Sequence, residues 1–528
     1  MSTLIHNKTR VFLCMATAAA LLMFLAGCSS DGDSGHEPGA SLSSSDADYS
    51  SSGNVSSSSI DLSSSSSIDL LSSSSIDALS SSLTVSSSSG NSSSSSRISS
   101  SSVASSSSSS TDSANPGDGV QFTPEALGVA PGANTSELRF TWYSDDNTAN
   151  RTTRIRLFSE SGSLIKDTVG ANGSASGKLW HKAVLTGLNP GTAYKYSVSY
   201  NGADWSYRYN IKTPGAGSFK FAAIGDPQID NDTTADVSAS ILNSWKKTMA
   251  AIGAHNASLV VNAGDVADNG VESEYKDFMS PPEMKNIPLA PAIGNHDFSF
   301  SEIMNPIFID HFNLPNSRGS SYTWWNQANY WYLYNNILFV ALNTGLLYPE
   351  SEAQAKIEVN RFDSLFSAAK SASSGKYDWI IVQHHRSTRS LGPHSYPSSA
   401  IQEQYRDNTL PLYKQDNLLE GVFDKHNVSL VIAGHDHIYV RSKPLKGGNE
   451  VASGGTVYLT LLPAGSWKFY PLSVSPAPSW VVKSYPTSTS YIFTRKNGYT
   501  LFNVSGSSIS ATVYDNDDGI LDEFSLSK

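Results

Sequence analysis

Four short runs, far apart in this 528-residue chain, end on side chains that bind metal ions. They are Gly225-Asp226-Pro227-Gln228, Gly264-Asp265, Gly294-Asn295-His296-Asp297 and Gly434-His435-Asp436-His437. Carboxylate mixed with imidazole and one asparagine suits zinc, iron or manganese, whereas a calcium cage would be built from oxygen alone. A carboxylate that touches two cations holds them roughly 3.5 to 4 Å apart, close enough to deprotonate a water between them and to stabilise both ends of a phosphoryl transfer. Asp265 is the candidate bridge. His435 and His437 stand two apart and on an extended or looping backbone can aim at neighbouring ions, with Asp436 pointing elsewhere. Hydrolysis assisted by two metals is the chemistry these residue types predict.

The elements that must position them are legible too. Each cluster follows an apolar run rich in β-branched or aromatic residues: Phe219 to Ile224, Leu259 to Asn262, Ile287 to Ile293 and Val428 to Ala433. Such runs read as buried strands, so the ligands fall at strand ends where loops reach a substrate. Helical spacing from Asp236 to Ile252, Ala353 to Ser371 and Leu418 to Lys425 alternates with the strands. Residues 215–528 therefore predict an α/β layered domain. Its last strands, Tyr499 to Val504, Ser508 to Tyr514 and Glu523 to Leu526, should finish the same globule, with the turn Asn516-Asp517-Asp518-Gly519 between the last two. The aromatic stretches Tyr322 to Trp325 and Tyr330 to Tyr334 read as strand core and hairpin packing rather than a base-stacking platform. Residues 119–214 alternate apolar and polar side chains, as in Glu137 to Trp142 and Ala193 to Val198, and predict a small all-β sandwich.

The N-terminal part is of another kind. Lys8 and Arg10 precede an apolar stretch from Val11 to Leu25 that closes on Leu25-Ala26-Gly27-Cys28, the order of a cleaved secretory signal over residues 1–27. Residues 28–118 are dominated by serine, with Ser-Ile-Asp repeats at Ile60, Ile68 and Ile76. Too few apolar groups are present there to offset the entropy of ordering, which predicts a disordered tether with a reach of roughly 50 Å. The two cysteines are Cys14 and Cys28. Cys14 leaves with the signal, so the mature protein has no disulfide even in an oxidising compartment.

Leu25-Ala26-Gly27-Cys28 resembles the lipobox of bacterial lipoproteins, which implies lipidation of Cys28 and attachment to the cell envelope. Ser29 after the cysteine fits the outer membrane. The order Gly-Asp, Gly-Asp, Gly-Asn-His-Asp, histidine, Gly-His-Asp-His resembles the calcineurin-like metallophosphoesterases, and the preceding sandwich resembles that of their purple acid phosphatase branch. Within that sandwich, Leu185 to Tyr194 is similar to the tyrosine corner of fibronectin type III modules, with Tyr194 carrying a buried hydroxyl. The resemblance implies a layered metallophosphoesterase β-sandwich flanked by helices. It assigns Asp226, Asp265 and His437 to the first metal, and Asp265, Asn295, His384 and His435 to the second. In Gln383-His384-His385-Arg386, His384 is preferred because it closely follows the strand Trp379 to Val382, with His385 as the alternative. His296 would touch phosphate, His394 is a candidate acid, and Arg386 could pair with phosphate through its planar fork.

Two residues depart from the family pattern. Gln228 stands where the wider superfamily has histidine; its amide oxygen is a weaker donor, so the first metal should be labile. Asp268 stands where purple enzymes have the tyrosine that colours their ferric ion, so this protein should not be purple. The implied reaction is hydrolysis of small phosphate esters, with a hydroxide held by two Fe, Mn or Zn ions attacking phosphorus in line. A phosphodiesterase or nucleotide pyrophosphatase would use the same site, and a surface adhesion or carbohydrate-binding protein with a degenerate site is the non-catalytic alternative. The formal net charge of −11 and the lack of any lysine or arginine run give no footprint for a nucleic acid polymer.

Overall fold

The computed structural model describes residues 121–527 except 146–151, 176, 298–305, 318–327, 345–351, 393–417, 473–478, 480 and 486–495. The signal segment, Cys28, the serine tether, the stretch Tyr322 to Trp325 and His394 lie outside the described residues. Among the described residues no helix is long and apolar enough to cross a membrane.

Among the described residues eight strands form the two sheets of the N-terminal sandwich: β1 (Glu125–Pro131), β2 (Leu138–Asp145), β3 (Arg154–Ser159), β4 (Leu164–Val169), β5 (Ala171–Ala175), β6 (Lys178–Leu185), β7 (Ala193–Ser199) and β8 (Tyr209–Lys212). One sheet has the order β1-β2-β6-β5 and the other β8-β7-β3-β4. Alternation along the strands turns Leu138, Phe140 and Trp142 inward against Ile155, Leu157, Tyr196 and Val198, all essentially buried. The corner at Tyr194 is formed: the Asn189 N–H donates to its hydroxyl at 3.1 Å.

The second body is built on two sheets. The first carries β9 (Phe219–Ile224), β10 (Val260–Asn262) and β11 (Leu289–Pro291), the second β12 (Tyr330–Tyr334), β13 (Ile337–Leu342), β14 (Trp379–Arg386), β15 (Leu430–Gly434), β16 (Tyr439–Ser442), β17 (Val457–Thr460) and β18 (Val481–Tyr485). The C-terminal strands β19 (Gly498–Ser505), β20 (Ser508–Asp515) and β21 (Ile520–Ser527) return to the first sheet. Its order is β11-β10-β9-β19-β20-β21, and that of the second is β12-β13-β14-β15-β17-β16-β18. The aromatic run Tyr330–Tyr334 is indeed strand core, paired antiparallel with β13. The expected strand over Ile287 to Ile293 shortens to Leu289–Pro291, because Pro288 and Pro291 have no N–H to give to a ladder.

Among the described residues five α-helices complete the layers: α1 (Ala235–Ala254), α2 (Glu272–Phe278), α3 (Pro306–His311), α4 (Glu352–Ala372) and α5 (Leu418–His426). Between the sheets, Phe221 stacks on Phe502 with centroids 4.5 Å apart and meets Phe339 edge-on at 5.5 Å. Each such buried ring contributes roughly 1.5 to 3 kcal/mol. Helix α1 turns Ile241, Trp245, Met249 and Ile252 into this core. On the far face of the second sheet, Leu338, Val340, Ile380 and Val382 pack under Phe362 and Phe366 of α4 and Leu419 and Phe423 of α5. Both faces of the central strands are covered, which is why their sequences are continuously apolar.

The sandwich rests on this body through polar and aromatic contacts. The Asn313 amide donates to the carbonyls of Phe140 and Ala183 at 3.3 and 3.1 Å. His311 lies between two tyrosines, its ring centroid 4.4 Å from Tyr143 of β2 and 5.1 Å from Tyr275 of α2.

Candidate metal centre

The four clusters converge where strands of both sheets end. Strands β9, β10 and β11 are parallel neighbours, so the loops after them leave from one edge. Backbone bonds knit those loops together: the Asp226 N–H donates to Gly264 O at 3.2 Å and the Gln228 N–H to Asp265 O at 2.8 Å. Asp226, Gln228, Asp265, His435 and His437 all have positive φ, between 43° and 75°. For non-glycine residues this backbone costs on the order of 1 to 3 kcal/mol each and persists only where the surroundings impose it. The preceding glycines make room. A Cβ on Gly294 would lie 2.0 Å from Asp265 Oδ1, and one on Gly434 would lie 2.4 Å from Asp226 Oδ2. Hence the recurrent order of glycine before a ligand-type residue.

One half of the centre is a tight cage. His385 Nε2 lies 3.0 Å from Asp265 Oδ2, 3.1 Å from Asn295 Oδ1 and 3.2 Å from His435 Nδ1. His385 Nδ1 donates to the Ala263 carbonyl at 2.9 Å, which in the neutral ring leaves Nε2 a lone pair. That lone pair faces a carboxylate oxygen, an amide oxygen and a second imidazole nitrogen. One proton cannot serve all of them, whereas a cation of the zinc, iron or manganese class fits the donor set. In the metal-free chain a proton takes the place: although burial pulls the His385 pKa down, Asp265, its hydrogen bond and Asp226 lift it to about 9. Asp265 moves the other way; burial would raise its pKa, but His385 and His296 hold it well below the carboxylate range.

His384, preferred from the sequence, is not in this cage. It occupies the opposite face of β14, its ring 6.1 Å from Phe423 and its Nδ1 3.3 Å from the Thr344 hydroxyl. Burial, with His385 adding to it, pushes its pKa down to about 3, and its Nε2 has no partner among the described residues. The reason is alternation: Gln383 donates to the Ala290 carbonyl of β11, so His385, two residues on, shares the inter-sheet face. The Thr344 hydroxyl then accepts the N–H groups of His385 and Arg386, both at 3.1 Å, where the β14–β15 register shifts.

The other half is looser. Asp226 is fully buried and accepts the His435 N–H on both oxygens, at 2.9 and 3.0 Å. His437 Nε2 is 3.6 Å from Asp226 Oδ1, and its Nδ1 donates to the Lys468 carbonyl at 2.6 Å, so again the lone pair is turned to the cage. Gln228 is buried, but its Oε1 already accepts the Ser466 hydroxyl at 3.1 Å. Asp268 pairs through Oδ1 with the Lys468 ammonium, and the same oxygen is 3.3 Å from His296 Nδ1.

Around the rim, His296 donates from Nδ1 to the Asp268 carbonyl at 2.7 Å while its N–H donates to Asp265 Oδ1 at 2.9 Å. Arg386 Nη1 is 3.0 Å from His435 Nε2, over the tight half. Asp297 does not face the cage. Its carboxylate accepts the N–H groups of Gly294 and Ala267 and the Tyr275 hydroxyl, at 2.8, 3.1 and 3.0 Å, pinning the Asp265 and Asn295 loops to each other. Burial and the nearby Asp265 push its pKa up to about 7. Asp436 is buried beside Gly392, away from these donors.

The segment 463–470, which carries no ligand motif, closes the looser half. Ala464 N–H donates to Gly225 O at 2.7 Å, Ser466 holds Gln228, Lys468 holds both His437 and Asp268, and the Tyr470 ring lies 5.0 Å from that of His437. A signal was there: Val457 to Leu462 is a fifth apolar run that stops at Pro463-Ala464-Gly465, as the four ligand runs stop at glycine.

Residues 219–439 match the calcineurin-like phosphoesterase family, and residues 124–213 the purple acid phosphatase N-terminal domain. Among solved structures, the purple acid phosphatase PPD1 from yellow lupin (Lupinus luteus) seeds is similar over 77% of this chain and 74% of its own, at 16% identity and a TM-score of 0.59. GAP50, the anchor in the inner membrane complex of Plasmodium, covers 59% of this chain with 89% of its own at 18% identity and a TM-score of 0.39. A dimetal phosphatase from Danio rerio covers 58% with 98% of its own, at 14% identity and a TM-score of 0.36. The lupin enzyme shares the fold. No curated protein matches this chain.

Proposed function

The chain belongs to the calcineurin-like phosphoesterases and is a metal-dependent phosphoric ester hydrolase, and from that premise we propose that it is an exported, lipid-anchored phosphomonoesterase acting on small phosphate esters. The observation that carries the reading is the convergence of Asp265, Asn295, His385 and His435 on one point, with Asp226 and His437 beside it. Two Fe, Mn or Zn ions held there would supply Lewis acidity and an activated water.

The protein's own residues do the rest. Asp265, in the tight half beside His385, would be the donor shared by both ions. Asn295, His385 and His435 would complete one half and Asp226 and His437 the other, with Gln228 offering there the lone pair of Oε1 that Ser466 does not use. Backbone carbonyls on His385 and His437 fix which nitrogen each ring presents. His296 is held by Asp268 at Nδ1, which leaves Nε2 to meet a phosphoryl or leaving-group oxygen. Arg386 stands over the tight half, beside His435, where a guanidinium can pair with phosphate. His394 remains a candidate acid from the sequence. Cys28 supplies the anchor, and an outer-membrane location follows from Ser29.

The test compares a phosphomonoester with a phosphodiester of the same alcohol, with and without added manganese, iron or zinc. Metal-dependent turnover favouring the monoester is expected. Preference for the diester would replace the proposal by the phosphodiesterase reading, and no turnover with metals bound would favour a binding protein.

A further inference from the structure

We propose that Lys468 is a specificity-determining residue that holds the third terminal oxygen of a phosphomonoester and so selects monoesters over diesters. This rests on the phosphoesterase reading above. Three donors stand at the rim of the cage: Arg386 beside His435, His296 with its N–H on Asp265, and Lys468 with its carbonyl on His437 and its ammonium on Asp268. Lys468 is fixed there from three directions. Its carbonyl accepts from His437, its N–H donates to Ser466 Oγ at 3.1 Å, and its ammonium lies on Asp268. Asp268 Oδ1 is shared between that ammonium and His296 Nδ1, so the Lys468 charge sits one carboxylate oxygen away from the imidazole that faces phosphate. The Lys468 and His296 side chains retain 22% and 31% of their exposure, so both can be reached by a ligand.

The charge count gives the selectivity. A monoester is close to a dianion at neutral pH, since its second pKa is about 6, and has three terminal oxygens; a diester has one charge and two. Arg386 and His296 can serve two oxygens, and Lys468 has two further N–H groups for the third while keeping Asp268. A diester presents an ester oxygen there instead, which makes no strong bond to an ammonium. Losing a charge-assisted hydrogen bond to phosphate costs about 10- to 100-fold in affinity.

Lys468→Gln removes the charge but leaves an N–H donor for Asp268, and Lys468→Arg restores the charge. Two quantities are read on the full chain: the ratio of kcat/KM for 4-nitrophenyl phosphate to that for bis(4-nitrophenyl) phosphate, and the affinity for inorganic phosphate by calorimetry. The expected result is a fall of about 10- to 100-fold in both for Lys468→Gln, substantial recovery in Lys468→Arg, and metal content equal to that of the parent chain. An unchanged ratio with both rates reduced would make Lys468 merely a brace for Asp268 and His437, and an unchanged phosphate affinity would equally overturn the inference. Should the metal-loaded parent hydrolyse neither ester, the phosphoesterase reading fails, while phosphate binding still decides the role of Lys468.

Discussion

Exchanging the two adjacent histidines of β14 for alanine, one at a time, tests the geometry of the centre most directly. His385→Ala removes the nitrogen on which Asp265, Asn295 and His435 converge at 3.0 to 3.2 Å. Partners that only orient a ligand cost 10- to 100-fold in metal affinity when lost, so deletion of the donor itself should cost about 100-fold or more. His384→Ala empties a fully buried site against Phe423 instead. Truncating a large buried side chain costs about 2 to 5 kcal/mol, offset in part because the unpartnered Nε2, itself a burden of about 1 to 3 kcal/mol, goes with it. The net loss is about 1 to 3 kcal/mol of stability with metal binding retained. Competition against a chromophoric chelator reads the first quantity, and denaturant unfolding of the metal-free protein the second. If His384→Ala strips the metal while His385→Ala keeps it, the assignment by strand face is wrong.

Asp265→Asn should weaken both ions by about 100-fold or more, since breaking a buried charge pair costs 3 to 5 kcal/mol, whereas Gln228→Ala should cost about tenfold or less and on one ion only; metal titration with elemental analysis separates them. Tyr275→Phe removes the hydroxyl that Asp297 accepts at 3.0 Å and should lower stability by about 1 to 3 kcal/mol and loosen the metals, with the Tyr143–His311 stack intact, as denaturant unfolding and metal content will show. The metal-free chain should lose stability as pH rises: the His385 pKa is raised from 6.5 to about 9, so its contribution is complete below 6.5 and gone above 9. Thermal melts of chelator-treated protein across pH 6 to 10 check this, and a rise in Tm over that window would contradict it. Cys28→Ala should move the protein from the membrane to the soluble fraction, read by fractionation and immunoblot.

Most of the frame could be read from the chain. Long apolar runs stopped by glycine marked β9, β10, β11 and β15, and the residues that follow them lie at the centre. The choice between His384 and His385 was not legible. A strand buried on both faces, Trp379-Ile380-Ile381-Val382, has no polar alternation to say which side is which, and the register shift at its end adds to the ambiguity. Lys468 and Ser466 escaped notice because their importance lies in partners some two hundred residues earlier, at Asp268 and Gln228. Gln228, read as a weakened donor, is tied to a serine; Asp268, read as the replacement for a tyrosine, carries a lysine and braces a histidine.

The antiparallel pairing of β9 with β19 has a consequence for biosynthesis. Asp226 stands two residues beyond the first strand of the body, yet that strand's outer neighbour is Gly498–Ser505, sixty residues past His437, the final ligand-type side chain. A nascent polypeptide cannot complete the sheet from which Asp226 projects until nearly the whole body has emerged. Removing the last thirty-one residues, which contribute no donor, should therefore forfeit the ions as surely as deleting a ligand.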